Sequence, residues 1–113
     1  MISEQRVIEQ RMNGQLRLFE KPRPGTNYYI GADIATGRAQ DYSAFSIMDR
    51  SGEEVGCFKG KISTDKLAEL LIEYGYKYNN AVIAPETNDV GLAVTMDIQK
   101  ANYPILYYST KFR

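Results

Sequence analysis

Asn27-Tyr28-Tyr29-Ile30-Gly31-Ala32-Asp33-Ile34-Ala35-Thr36-Gly37 is an aromatic and apolar run that carries one acid in its middle and ends on a glycine. Asp is uncommon inside strands and costly to bury without a partner. An acid near the end of the first well-formed strand, approximately Tyr28 to Ile34, therefore calls for a chemical reason. A second acid, Glu86, closes another buried-looking strand, Ala81-Val82-Ile83-Ala84-Pro85. We read the two carboxylates as meeting across neighbouring strands of one sheet. Paired like charges repel and raise one another's pKa unless a cation lies between them, so the pairing points to a divalent metal.

Outward from this run, Gly37-Arg38-Ala39-Gln40-Asp41 has turn chemistry. Tyr42 to Asp49 resumes a strand in which Tyr42, Ala44 and Ser46 oppose Phe45, Ile47 and Asp49. Arg50-Ser51-Gly52-Glu53 reads as a hairpin turn, and Glu54 to Gly60 returns antiparallel. Next comes a helix capped by Ser63 or Thr64, with Leu67, Leu70, Leu71 and Tyr74 at helical spacing and Gly75 as its stop. A helix returning into Ala81–Ala84 predicts a strand parallel to its predecessor. Beyond Glu86, Asn88 or Asp89 caps a second helix with the stripe Val90, Ala93, Val94, Ile98 and Ala101. Asn102 closes it, and Pro104 to Tyr108 forms a last strand whose open edge is a template for self-association.

Upstream, Leu16 and Leu18 predict a short edge strand, Lys21-Pro22-Arg23-Pro24-Gly25 a turn or linker, and Val7, Ile8 and Met12 one face of a short helix in a polar leader. The expected organisation is residues 1–24 as leader, edge strand and linker, and residues 25–113 as an α/β domain. Its mixed sheet is a three-strand antiparallel meander followed by helix, strand, helix, strand.

Composition narrows the chemistry. The 113 residues carry 14 basic and 14 acidic side chains, nine tyrosines, one cysteine and no histidine. Histidine-based triads, HExxH sites and Cys/His zinc sites are thereby excluded within this chain. A metal held here rests on oxygen ligands, which favours magnesium, manganese or calcium. A zero net charge leaves nucleic-acid binding to a local patch. No run of 18 apolar residues and no signal-like h-region occur, so a soluble protein with no membrane partner is expected.

Asp33 and Glu86 are the candidate catalytic and metal-holding residues. Asp41 either reaches across the turn to orient a water or a lysine, or is an ordinary turn residue. Thr36 and Gly37 can bring backbone close to a phosphate. Asn88 is a helix cap or a supporting amide, and Gly91 permits a close approach of helix to sheet. Asp49, Asp65, Asp89 and Asp97 read as turn, capping or solvent-facing acids, and Cys57 as a small packed side chain. Gly56 to Ile62 imitates a phosphate loop with the wrong glycine spacing. Packing with hydroxyls at the surface accounts for most tyrosines, and base stacking requires an aromatic beside basic residues on one open face.

Several motifs occur together in order: Gly14 to Glu20 before a Pro/Gly turn; Tyr29 to Gly37 followed by Asp41-Tyr42-Ser43; Tyr78-Asn79-Asn80-Ala81; Glu86-Thr87-Asn88-Asp89-Val90-Gly91; and Tyr103 to Tyr107. Across residues 14 to 108 the chain resembles the C-terminal nuclease domain of the large terminase subunit of tailed bacteriophages and prophages. That resemblance implies an RNase H-like fold and an endonuclease that cuts double-stranded phage DNA during genome packaging by two-metal-ion hydrolysis. The implied cofactor is Mg2+ or Mn2+, with Asp33 as the first catalytic acid, Glu86 as the second and Asp41 in a supporting role. The implied partners are DNA, the terminase ATPase, the small subunit and the portal, in the cytoplasm of a bacterial host.

The family's third acid and its ATPase domain have no counterpart here, and Asp97 does not match the third acid. The expectation is a C-terminally truncated domain whose activity on its own the missing third acid leaves open. Two other readings are open: a fragment of an actin-like or sugar-kinase phosphoryl-transfer domain, in which Ala35 replaces a usual glycine, and a non-catalytic assembly module.

Overall fold

The computed structural model describes residues 6–34, 42–85 and 89–104. Its elements run β1 (Glu9–Arg11), β2 (Leu16–Leu18), β3 (Tyr28–Asp33), β4 (Ser43–Asp49), β5 (Glu54–Gly60), α1 (Thr64–Lys77), β6 (Val82–Pro85) and α2 (Asp89–Lys100). The strands form one mixed sheet in the order β1-β2-β5-β4-β3-β6. Every pair is antiparallel except β3 and β6, which run parallel. The meander and the parallel return predicted from the sequence are both present.

Alternation along the strands builds one covered face. Tyr28, Ile30 and Ala32 of β3, Phe45 and Ile47 of β4, Phe58 of β5 and Leu16 and Leu18 of β2 are buried together with Ile83 of β6. Leu67, Leu71 and Tyr74 of α1 and Val94 and Ile98 of α2 join the same core. Each aliphatic side chain so buried contributes about 1.5–3 kcal/mol, and this term makes the face-to-helix packing decisive. Phe45 and Phe58 stack across β4 and β5 with centroids 5.4 Å apart.

The amino-terminal segment departs from expectation. No helix forms at Val7, Ile8 and Met12, which are 40%, 46% and 38% exposed. Met12, Asn13 and Gly14 all take positive φ, which reverses the chain into a hairpin. β1 therefore pairs with β2, and Leu16 and Leu18 sit inside the sheet between β1 and β5 rather than at its edge. Arg11 Nη1 donates to Glu73 Oε2 and to the Tyr74 hydroxyl, both at 2.7 Å, which ties the hairpin to α1.

Gly75 does not stop α1, which continues to Lys77. A Cβ at Gly75 would lie 2.3 Å from the Tyr103 hydroxyl, so the glycine makes room for a crossing ring. Asn79 and Asn80, at φ 61° and 56°, end the helix instead. Asn102, at φ 58°, follows α2 as expected, whereas Ala101 is exposed rather than part of the buried stripe.

The tyrosines are also more deeply placed than predicted. Tyr28, Tyr74 and Tyr78 are fully buried. Tyr78 donates its hydroxyl to the Glu20 carbonyl at 2.6 Å, and the Arg23 amide donates to the Tyr28 hydroxyl at 3.0 Å. Buried phenols need such partners, and burial pushes the Tyr78 hydroxyl well above the ordinary tyrosine value. The strand expected at Pro104–Tyr108 lies outside the described residues beyond Pro104.

Candidate metal centre and the open face of the sheet

The same alternation that covers one face leaves the other open. Tyr29 and Asp33 of β3 are exposed, and Gly31 between them is half-buried. Among the described residues, nothing lies within 4 Å of a side chain added at Gly31. The open face holds a concavity of about 610 Å³ lined by Arg17, Asp33, Ser46, Glu54, Cys57 and Lys59, with Gly31, Ala44 and Ala84 among its small residues.

The register fixes who stands beside whom. Asp33 closes β3 and pairs with Ala44 of β4, which in turn pairs with Lys59 of β5. On the other side, Ala32 pairs with Pro85, the last residue of β6. In sequence, Asp33 and Glu86 are thus the residues that follow the two members of one parallel pair, Ala32 and Pro85. Asp33 is placed on the open face, as its alternation demands. Glu86, Asp41, Asn88, Gly37 and Thr36 lie outside the described residues.

Among the described residues no group of three or more His, Cys, Asp or Glu side chains gathers as a metal cage. The donors facing the concavity nevertheless suit a hard cation. Asp33 offers a carboxylate at the strand end, whereas the Ser46 hydroxyl donates to Glu54 Oε2 farther along the sheet, where Glu54 pairs with Met48 rather than with the row of Asp33 and Ala44. Cys57 is no competitor, because burial, with the Glu54 charge behind it, pushes its thiol up and keeps it protonated. Oxygen ligands at a strand end, with no imidazole in the chain, fit a magnesium-like ion.

Asp49, one of the acids read as a turn residue, does serve the Arg50–Glu53 turn. It accepts from the amides of Ser51 and Glu53 and from the Ser51 hydroxyl, and Arg23 Nη2 lies 3.0 Å from its other oxygen. The Ser51 hydroxyl leads the hydrogen bonds that hold this carboxyl below its ordinary value. It lies at the end of β4 away from Asp33.

Sequence reading missed the cations of the open face. Lys59 and Lys61 point their ammonium groups over the Tyr42 ring, 5.9 Å and 5.4 Å from its centroid. The signal was the i, i+2 spacing of two lysines at the end of a strand, hidden by a net charge of zero.

No protein-family model matches the chain. It is 34% identical over 95 residues to the large terminase subunit of Thermus phage G20c and, to the same degree, to that of Thermus virus P23-45, which covers 80% of this chain and 19% of each relative. The crystal structure of the large terminase nuclease from thermophilic phage G20c superposes with a TM-score of 0.69 at 26% identity, covering 91% of this chain and 53% of that one. The same nuclease with bound magnesium gives 0.69 at 26% identity, over 91% of this chain and 54% of the other. With bound cobalt it gives 0.73 at 23% identity, over the same shares. The chain therefore spans about half of the solved nuclease and a much smaller part of the curated relatives. Its fold is RNase H-like, and its homologues in sequence and structure are the nuclease domains of phage large terminase subunits.

Proposed function

We propose that this chain is the metal-binding core of a terminase-type endonuclease that cuts double-stranded phage DNA during genome packaging. The observation that carries the reading is the placement of Asp33 on the open face at the end of β3, beside the parallel strand β6 that runs directly into Glu86. Asp33 and Glu86 would hold Mg2+ or Mn2+ through oxygen. A divalent ion there supplies positive charge against the phosphodiester and makes water acidic enough to attack at neutral pH. The chain's own part is to fix Asp33 beside the strand that leads to Glu86 and to keep a hollow open for the substrate. Asp41, Asn88 and Gly37 are assigned supporting roles, orienting water, side chains or backbone near the acids.

The partners in this reading are duplex DNA and the rest of a packaging complex: the terminase ATPase, the small subunit and the portal. The setting is the cytoplasm of the bacterial host. No helix among the described residues is long and apolar enough to cross a membrane, which is compatible with that setting. The likeness to the G20c nuclease supports this reading over the actin-like phosphoryl-transfer alternative.

The test is nicking of supercoiled plasmid in Mn2+ or Mg2+ without ATP. Cleavage by the wild-type chain, reduced to background by Asp33→Asn and by Glu86→Gln, is the expected result. Cleavage unchanged by Asp33→Asn, or phosphoryl transfer from ATP in its place, would overturn the assignment.

A further inference from the structure

We propose that Lys59, Lys61 and Tyr42 form a docking track for the sugar-phosphate backbone of duplex DNA, leading it to the Asp33 end of the sheet. The identity of the ligand rests on the nuclease reading above.

Position is the first argument. Lys59, Ala44 and Asp33 form one row across β5, β4 and β3. Two strand spacings separate the lysine from the acid, about 10 Å, and the residue between them is only a methyl group. Lys61 lies just past the end of β5 at Gly60 and holds its ammonium group over the same Tyr42 ring that Lys59 faces. Lys59 therefore stands apart from the candidate metal centre rather than crowding it.

The second argument is what the lysines are not doing. Strand lysines commonly guard exposed sheet edges. β5, however, is flanked by β2 on one side and β4 on the other, and the Lys59 amide donates to the Gln15 carbonyl at 3.0 Å. Among the described residues no ion pair engages them either: the salt bridges there join Arg11 to Glu73, Arg23 to Glu20 and Asp49, and Lys77 to Glu9. In a chain of zero net charge, two lysines thus stand together on an open face.

The third argument is Tyr42, which is 53% exposed and presents its ring to both ammonium groups. Cation–π attraction restrains two flexible side chains before any ligand arrives. An aromatic interleaved with lysines on an open face is the arrangement that nucleic-acid backbones select, and an ammonium group meets a phosphate as a point charge without reading sequence. Tyr42 is a positioning residue here, and the lysines make the contact.

The test is fluorescence anisotropy with a labelled duplex of arbitrary sequence in EDTA, across a salt series, so that binding is read without cleavage. Lys59→Gln and Lys61→Gln should each weaken binding equally for unrelated sequences and reduce the slope of log K against log salt by about 1, and the double variant by about 2. Tyr42→Ala should weaken binding, and Tyr42→Phe, which keeps the ring, should restore it. Circular dichroism confirms that each variant is folded.

A double variant that matches the wild type in affinity and slope would overturn the track. So would polyglutamate binding as tightly as duplex, which would reassign the surface to an acidic protein. Mn2+ calorimetry on the same proteins separates the two claims. A wild type that binds Mn2+ but no duplex sinks the track and leaves the metal centre standing. One that binds duplex through the lysines without binding Mn2+ supports the track and sinks the metal centre.

Discussion

The covered and open faces of this sheet share the same six strands and follow opposite rules. On the covered face Ile30, Ile47 and Ile83 are wholly inaccessible and the helices press on them. On the open face the corresponding positions hold glycine, alanine, serine, cysteine, lysine and aspartate, and a hollow remains. Because strand side chains alternate, one residue belongs to one face only. Stability and chemistry are therefore divided residue by residue within each strand, and a substitution can strike one while sparing the other.

Ways to break this division can be ranked by expected effect. Ile47→Ala or Ile83→Ala empties space on the covered face and should cost about 2–5 kcal/mol in chemical denaturation. A loss below 1 kcal/mol would mean that the helices do not pack as described. Gly75→Ala should cost about 1–3 kcal/mol through overpacking against Tyr103, even though alanine favours a helix by about 1 kcal/mol over glycine. A stabilised variant would show that the ring moves aside freely.

Two aspartates sharpen the contrast further. Asp49 has a folded pKa below its ordinary value, so its contribution is complete above roughly pH 4 and is lost as pH falls from there through the folded value. Asp49→Asn should therefore flatten the acid limb of a stability-against-pH curve below pH of about 4 and leave the neutral limb's slope unchanged. An unaltered acid limb would remove Asp49 from the account. Gly31→Ala, facing open space without a positive φ, should be neutral or stabilise by about 0.4–1 kcal/mol. Destabilisation there would mean that the open face is not open.

Much of the covered face was legible in the sequence, because burial imposes periodicity. Phe45 and Ile47 alternated against Ala44 and Ser46, and Leu67, Leu70, Leu71 and Tyr74 recurred at helical spacing. The hairpin at Glu9–Arg11 was not legible, since its strand residues are all exposed and its pairing is decided by left-handed turn residues and by Arg11 reaching α1. Gly75 misled for a related reason. Its cause is Tyr103, far along the chain, and a local rule reads glycine as a stop. Of the candidate site, Asp33 stood out because an acid violates strand chemistry. Lys59, Lys61 and Tyr42 did not, because each is ordinary alone and only register assembles them.

The central claim is that the open face ends in a carboxylate metal site. Titrating Mn2+ into the folded chain by calorimetry near neutral pH, with Asp33→Asn and Glu86→Gln alongside, tests it most directly. The account predicts saturable binding by the wild type that both variants lose, while Asp33→Asn changes stability by less than about 0.5 kcal/mol, as an exposed substitution should. Absence of specific binding with all three proteins folded, or binding that survives Asp33→Asn, would contradict it.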